Sequence, residues 1–194
     1  RRPTETAEHH LTRGRHNIRV DDCYVFDAHW GRACVRRSRD LPFEVTRQLK
    51  HKNIVELFEH GKAGDTFYFV LEFVDGMDLG RLIEEEKARR GGVALNEFAP
   101  IMLGTLDGLA AAHGARLRMD VAGGQSKEFT CVVHRDLKPQ NILLARDGKA
   151  WIPKVADFGT SRFLEKSHAT TVIGTPPYMA PEQFQGRAVL ASDI

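Results

Sequence analysis

An octet of polar and charged residues, HRDLKPQN at positions 134–141, constrains this chain more than any other part of its 194 residues. The carboxylate of Asp136 and the amide of Asn141 stand five positions apart, with the ammonium group of Lys138 between them. Phosphoryl transfer to a hydroxyl uses such a set: a base for the hydroxyl proton, a cation beside the phosphoryl group and an oxygen ligand for magnesium. The octet therefore predicts a loop that carries the groups for phosphoryl transfer.

Two more motifs follow the octet in chain order. The triplet DFG occupies positions 157–159, and the segment GTPPYMAPE occupies positions 174–182. Between the octet and the triplet, Asp147 and Gly148 separate two apolar runs, which is the signal of a β-hairpin. Such a hairpin returns the chain, so we expect Asp157 to face Asn141.

The three motifs resemble the catalytic loop, the metal-binding triplet and the end of the activation segment of the eukaryotic protein kinases. The resemblance covers about residues 53–194. It implies an α+β, two-lobed protein-kinase-like fold with a truncated β-rich N-lobe and a truncated helical C-lobe. It also implies an ATP-dependent serine/threonine protein kinase, with ATP and Mg²⁺ as cofactors and a protein substrate that offers a Ser/Thr acceptor.

The resemblance assigns roles to residues of the octet and the triplet. Asp136 would be the catalytic base and Lys138 the cation beside the transferred phosphate. Asn141 and Asp157 would be the metal ligands, and Asn141 also belongs to the catalytic set. Asp193, near the end of the chain, resembles the aspartate that supports the catalytic loop from behind.

A second group of residues would bind the nucleotide. Leu71 would be the gatekeeper, the backbone from Glu72 to Val74 would bind adenine, Asp78 would contact ribose, and Leu143 would line the pocket. These placements follow from the resemblance alone, since Leu71 and Val74 would be core residues in any sheet.

Acceptor type and regulation can also be inferred from the resemblance. Lys138 and Thr175 are typical of serine/threonine kinases, and the run DFGTSR at 157–162 is similar to the tyrosine-kinase-like group. Arg135 indicates control by phosphorylation, because a phosphate bonds strongly to arginine. Thr171 is the predicted regulatory phosphosite, with Thr170 and Ser167 as alternatives.

The N-terminal part departs from the family pattern. It contains no Gly-x-Gly-x-x-Gly loop, and the run ACVR at 33–36 places Arg36 where the family has its essential lysine. Arginine does not replace lysine conservatively at a fitted site, and Glu44 follows too soon to be a strong candidate for the lysine's partner. A catalytically inactive kinase-like fragment or pseudokinase that acts as a binding module is therefore the alternative function.

Local patterns predict the elements around these motifs. Strands are expected at 53–58 and 66–74, and helices at 79–90 and 96–113, the second with Asn96 as its N-cap and a left-handed Gly114 at its end. Residues 116–130 read as an inserted, mobile loop. The predicted domains are a disordered basic tail at 1–20, a partial N-lobe at 21–74 and a partial C-lobe at 75–194 with an insertion at about 115–130.

Charge and composition limit the partners. A net charge of +2 gives no case for nucleic-acid binding, and no apolar stretch is long enough to span a bilayer. Three scattered cysteines indicate reduced thiols and a cytoplasmic location. The sequence does not indicate an oligomeric state.

Overall fold

The computed structural model describes residues 18–20, 23–28, 31–38, 47–63, 66–121, 125–158, 162–163 and 174–194. Several predictions concern residues outside these ranges: most of the tail, Glu44 and the three candidate phosphosites Ser167, Thr170 and Thr171.

The N-terminal part of the chain is an antiparallel sheet with strand order β1-β2-β3-β5-β4. The strands are β1 (Ile18–Val20), β2 (Cys23–Ala28), β3 (Gly31–Ser38), β4 (Leu57–Ala63) and β5 (Thr66–Glu72). Ile18–Val20 were predicted to belong to a disordered tail, but they pair with β2. Arg36 lies on β3, where its backbone is opposite Phe69 of β5.

The strand predicted at 53–58 begins only at Leu57. The backbone of Asn53 and Val55 bonds instead to a strand that comes much later in the chain. The Val55 N–H donates to the Val155 carbonyl at 2.9 Å, and the Val155 N–H donates to the Asn53 carbonyl at 2.8 Å. The following strand, predicted to run to residue 74, ends at Glu72.

The C-terminal part combines two helices with small sheets. Helices α1 (Leu79–Arg90) and α2 (Leu95–His113) are followed by the short strand β9 (Val132–Val133) and by the predicted hairpin of β10 (Ile142–Asp147) and β11 (Ala150–Val155). Strand β6 (Gly76–Asp78) pairs with β10, and β12 (Arg162–Phe163) pairs with β9. Single 3₁₀ turns lie at Pro139–Asn141, Pro176–Tyr178, Pro181–Gln185 and Leu190–Asp193.

The ends of α2 differ from the prediction. The helix begins at Leu95, and Ala94 rather than Asn96 is the capping residue, because the Ala94 carbonyl already accepts hydrogen bonds from the Glu97 and Phe98 amides. Gly114 is right-handed, with φ −85°, and its N–H donates to the Ala110 carbonyl. The left-handed glycine cap belongs to α1, where Gly91 has φ 84°.

The insertion predicted as a mobile loop is a β-hairpin. Strands β7 (Arg116–Val121) and β8 (Gln125–Thr130) pair antiparallel over their full lengths. Leu117, on β7, is 4% exposed and belongs to the main core. The hairpin is thus anchored by burial, and the apolar alternation of Leu117, Met119 and Val121 is the sequence signal for a strand that the prediction missed.

Two apolar clusters form the core of the described chain. The first joins the end of α2 to strands β9 and β11 and contains Leu49, Ile54, Leu109, Ala112, Leu117, Val132, Val155 and Phe158. The second packs α1 and α2 on β10 and contains Leu79, Leu82, Ile101, Ile142 and Leu144. The octet 134–141 lies in the chain between β9 of the first cluster and β10 of the second, so both clusters position it.

Asn53 connects the N-terminal part to α2 by close packing. Its side-chain Nδ2 donates to the Pro153 carbonyl at 2.7 Å. Glycines on α2 make room for this contact: a Cβ on Gly108 would lie 2.5 Å from the Asn53 carbonyl oxygen, and a Cβ on Gly104 would lie 2.6 Å from the Pro153 ring. Both glycines are therefore required by packing, although glycine weakens a helix.

We expect Gly108→Ala to lower the free energy of unfolding by about 1–3 kcal/mol, as overpacking of a core does. Helix propensity alone predicts the opposite sign, a gain of about 1 kcal/mol. Urea denaturation of the variant measures the difference, with the exposed neighbour Asp107→Ala as the control. A stabilised Gly108→Ala protein would show that the backbone at Asn53 yields to the new methyl group.

Candidate active site

The side chains of Asp136 and Lys138, both in the octet, and of Thr175 contact one another and form a triangle. The Lys138 Nζ is 2.9 Å from Asp136 Oδ2 and 2.8 Å from Thr175 Oγ1. The Thr175 hydroxyl donates to Asp136 Oδ1 at 2.7 Å. Asp136 and Lys138 are both only partly exposed, so the ion pair lies at the base of the site rather than on open surface. A threonine 37 positions away in the chain from Lys138 thus completes the site.

Asn141 is oriented by the same loop. Its Nδ2 donates to the Asp136 carbonyl at 2.8 Å and lies 3.3 Å from Asp136 Oδ2. Because the amide nitrogen is engaged in this way, the amide oxygen is the atom that can bind a cation.

The backbone is strained at several points of the site. Among the described residues other than glycine, positive φ values occur at Cys131 (63°), Arg135 (73°) and Asp157 (63°). Cys131 precedes β9, Arg135 lies inside the octet, and Asp157 is the first residue of the triplet. Such conformations cost energy and persist where the surrounding structure imposes them, which happens most often at functional sites.

The carboxylate of Asp193 holds the octet from behind. Its oxygens accept the backbone N–H groups of His134 at 2.7 Å and Arg135 at 2.8 Å, and its Oδ2 is 2.8 Å from His113 Nε2. Asp193 is 2% exposed. The prediction that Asp193 supports the catalytic loop is confirmed.

His134 is fully buried and joins the octet to the triplet. Its Nε2 is 2.9 Å from the Ala156 carbonyl, and its Nδ1 accepts the Asp136 N–H at 3.3 Å, so the neutral ring with a proton on Nε2 satisfies both contacts. Its ring also meets Phe158 edge-on, with centroids 4.8 Å apart. Burial lowers the pKa of His134, and this effect exceeds that of the Ala156 carbonyl, which raises the pKa.

Asp136 is poised as a carboxylate. Burial alone would raise the pKa of its carboxyl group, but the hydrogen bonds from Lys138 and Thr175 outweigh that effect and hold the pKa below its usual value. An ionised carboxylate is the form of the side chain that can accept a proton.

The residues predicted to bind a nucleotide lie around the edge where the two parts of the chain meet. Leu71 and Glu72 end β5, and Val74 follows it. Asp78 pairs in register with Leu143 across β6 and β10, and its Oδ1 caps α1 by accepting the Arg81 N–H at 3.0 Å. The Glu72 N–H donates to the Glu56 carbonyl at 2.8 Å, which fixes the backbone at the end of β5.

Sequence reasoning missed two polar side chains that position the site. Gln183 is buried, donates from Nε2 to the Arg135 carbonyl at 2.7 Å and accepts the Ala180 N–H at 2.9 Å, which binds the octet to the segment after Thr175. Lys154 forms an ion pair with Glu72 at 2.8 Å. Neither belongs to a motif, and only their long-range contacts reveal them.

The described residues contain neither a cluster of metal ligands nor a helix that could span a membrane. Nowhere in these ranges do three His, Cys, Asp or Glu side chains group closely enough to hold a metal ion by themselves. The helices within them are too short or too polar to cross a bilayer.

Comparison with known proteins is consistent with this geometry. The family model of the protein kinase domain matches residues 42–193. The probable serine/threonine-protein kinase fhkD of Dictyostelium discoideum is 32% identical over 156 residues, which cover 79% of this chain and 18% of that protein. Serine/threonine-protein kinase Pkn1 of Myxococcus xanthus is 36% identical over 146 residues, covering 73% of this chain and 18% of that protein. Serine/threonine-protein kinase PknL of Mycobacterium tuberculosis is 33% identical over 158 residues, covering 79% and 34%. The chain thus spans about a third or less of the length of these curated relatives.

We expect the stability of the fold to fall as the pH drops below about 6.5, the ordinary pKa of histidine. The unfolded chain gains a proton on His134 there, while the folded chain with its lowered pKa does not. The stabilisation is complete above that pH and is lost at up to about 1.4 kcal/mol per pH unit below it. Urea denaturation across this range should show a shallower slope for His134→Gln, and equal slopes would contradict the assignment.

Proposed function

Because this chain belongs to the protein kinase family, we propose that it carries the catalytic site of a serine/threonine protein kinase, which transfers the γ-phosphoryl group of ATP to a protein hydroxyl. The observation that carries this proposal is the contact of Asp136 with both Lys138 and Thr175. It joins the proposed base, a cation and the hydroxyl of Thr175, and Thr175 lies in the segment expected to face the acceptor. The activity of the whole protein, its substrates and its partners belong to the same proposal.

Asp136 accepts the proton of the acceptor hydroxyl. Its Oδ1 accepts a hydrogen bond from the Thr175 hydroxyl at 2.7 Å. The hydroxyl of a substrate serine or threonine would donate to this carboxylate in the same way. The lowered pKa keeps the carboxylate ionised near neutral pH. A positioned base of this kind typically contributes about 10²–10⁴ in rate.

Lys138 supplies positive charge next to the base. Its ammonium group lies between the Asp136 carboxylate and the Thr175 hydroxyl, where the negative charge of a transferred phosphoryl group would develop. Since Thr175 binds both residues, the segment around it fixes the acceptor against the base. The resemblance of Lys138 and Thr175 to serine/threonine kinases favours a serine or threonine acceptor over tyrosine.

Asn141 and Asp157 fit a magnesium ion. Mg²⁺ is usually held by one or two carboxylates together with substrate phosphates and water, rather than by a cage of protein side chains. The Asn141 oxygen and the Asp157 carboxylate are oxygen donors of that kind, and Asp157 is held in a strained left-handed conformation. Asn141 and Asp157 would hold the ion, which would neutralise the charge of the ATP phosphates.

The nucleotide base and ribose lie along the edge of β5 and β6. The Glu72 carbonyl and the backbone at Val74 bind adenine, while Leu71 and Leu143 contact it from the sheets. Asp78 binds ribose with the carboxylate oxygen that does not cap α1. This edge separates the proposed N-lobe, residues 21–74, from the proposed C-lobe, residues 75–194.

Thr171 is the proposed regulatory phosphosite, and Arg135 is the arginine that responds to it. Arg135 is buried and has positive φ, and both its N–H and its carbonyl are held, by Asp193 and Gln183. A phosphate of about −1.5 to −2 charge placed near its guanidinium group would therefore act directly on the catalytic loop. We place the reaction in the cytoplasm, in keeping with the reduced cysteines and the small net charge.

The alternative function, a non-catalytic kinase-like binding module, rests on Arg36 in place of the family lysine. Arg36 lies on β3, and the resemblance alone assigns it to the place of the lysine. The contacts among Asp136, Lys138 and Asn141 nevertheless retain the proposed base, the cation beside the phosphate and one proposed metal ligand, and this favours the enzyme.

We expect Asp136→Asn to reduce phosphate incorporation into a basic protein acceptor by about 10²–10⁴-fold. Asparagine keeps the size and a hydrogen-bond acceptor but cannot take the proton. Asp147→Asn, an equivalent change in the exposed hairpin turn, should leave the rate unchanged. Phosphoamino-acid analysis of the wild-type product should find phosphoserine or phosphothreonine. Undiminished transfer by the purified Asp136→Asn protein would remove Asp136 from its role.

We expect Asp157→Ala to abolish the dependence of ATP affinity on Mg²⁺. Calorimetric titration with ATP in excess Mg²⁺ and in chelator should give different dissociation constants for the wild type and equal ones for the variant. Wild-type binding itself should be weak, because no glycine loop clamps the phosphates. Asp107→Asn, on the exposed face of α2, is the matched control. A variant that still responds to Mg²⁺ would place the metal elsewhere.

A further inference from the structure

The side-chain amide of Gln48 binds the β7–β8 hairpin to the segment that precedes β4. Gln48 donates from Nε2 to the Arg118 carbonyl at 2.8 Å, and its Oε1 accepts the Arg118 N–H at 3.1 Å. Its amide therefore pairs with the outer edge of β7 as the peptide group of a neighbouring strand would. This contact joins residues 70 positions apart in the sequence.

The residues next to this contact are buried together. Leu49 follows Gln48, Leu117 precedes Arg118, and each is 4% exposed. Both belong to the apolar cluster that contains Phe158 of the triplet. The Gln48 amide thus lies at the surface above the cluster. It links the segment that carries Leu49 to the strand that carries Leu117.

The hairpin is also continuous with the catalytic loop. The Cys131 N–H, directly after β8, donates to the Ala115 carbonyl at 3.2 Å, which closes the base of the hairpin. Cys131 has φ 63°, and the chain then enters β9 and reaches His134, whose ring contacts Phe158. Displacement of the hairpin would therefore disturb the packing of Phe158 in two ways, through Leu117 of the cluster and through the ring of His134.

We propose that Gln48 is a positioning residue for the phosphoryl transfer proposed above, and that the inserted hairpin is a brace through which it acts. By fixing Leu49 against Leu117, Gln48 keeps the packing around Phe158 in one arrangement. Phe158 in turn holds the neighbouring Asp157, the proposed metal ligand, in its strained conformation. Loss of the brace weakens metal-dependent nucleotide use without removing any group that touches the substrate.

The test compares two substitutions at the two ends of the contact in the full-length protein. Gln48→Met keeps the length of the side chain and removes both hydrogen bonds. Arg118→Thr is the matched control, because Gln48 binds the main chain of Arg118 and the exposed Arg118 side chain takes no part in the contact. Gln48→Glu is a third variant, which keeps the acceptor for the Arg118 N–H and loses the donor to the carbonyl.

We expect Gln48→Met to raise the free Mg²⁺ concentration that half-saturates the reaction on the order of tenfold, with the KM for the protein acceptor unchanged. Gln48→Glu should lie between it and the wild type, and Arg118→Thr should match the wild type. If Gln48 only stabilised the fold, its loss would lower the amount of active protein and hence the maximal rate. The free Mg²⁺ concentration at half-saturation would then stay at the wild-type value.

Hydrogen–deuterium exchange without nucleotide gives a second readout that needs no activity. Amides of β7 and of β9 should exchange faster in Gln48→Met and at the wild-type rate in Arg118→Thr. If the wild-type protein transfers no phosphate, the proposed function fails, and this exchange still decides whether the brace exists. An unchanged Mg²⁺ requirement in Gln48→Met, or the same shift in Arg118→Thr, would overturn the proposal.

Discussion

The buried carboxylate of Asp193 is the interaction on which the site depends. It receives the two successive N–H groups of His134 and Arg135, and it is also in contact with His113 at the end of α2. Arg135 has positive φ, a conformation that a non-glycine residue does not keep without compensating bonds. A buried charge in turn requires such donors, so carboxylate and strained loop stabilise each other. These bonds hold the backbone of the loop without any contribution from a substrate, as the positioning of the proposed catalytic base requires.

The second constraint is the connection between the sheet and the helices. Asn53 packs on glycines of α2, and its carbonyl bonds to Val155, while Glu72 at the end of β5 pairs with Lys154. These contacts lie on either side of the edge where the nucleotide is proposed to bind. Since both Lys154 and Val155 precede the triplet by only a few residues, the geometry of that edge and the position of Asp157 are set together.

Much of the fold and of the candidate site was predictable from local sequence. The hairpin around Asp147 and Gly148, the helix at 79–90 and the role of Asp193 follow from turn residues, periodicity and motif resemblance, and the structure confirms them. One error is local, and the other arises where a long-range contact overrides the local signal. Asn96 looks like a cap but lies inside α2, and residues 116–130 look like a loop but form a hairpin because Leu117 is drawn into the core.

The sequence by itself determined which chemical groups the site contains and in what order they occur, because motif spacing and residue type are one-dimensional properties. Only the tertiary structure decided how they meet. It places Thr175 on Asp136 and Lys138, Gln183 on the Arg135 carbonyl, and Gln48 on the edge of an inserted hairpin. Each of these contacts joins residues 37 or more positions apart. Such pairs leave no periodic or local trace in a single sequence, since their partners are chosen by packing.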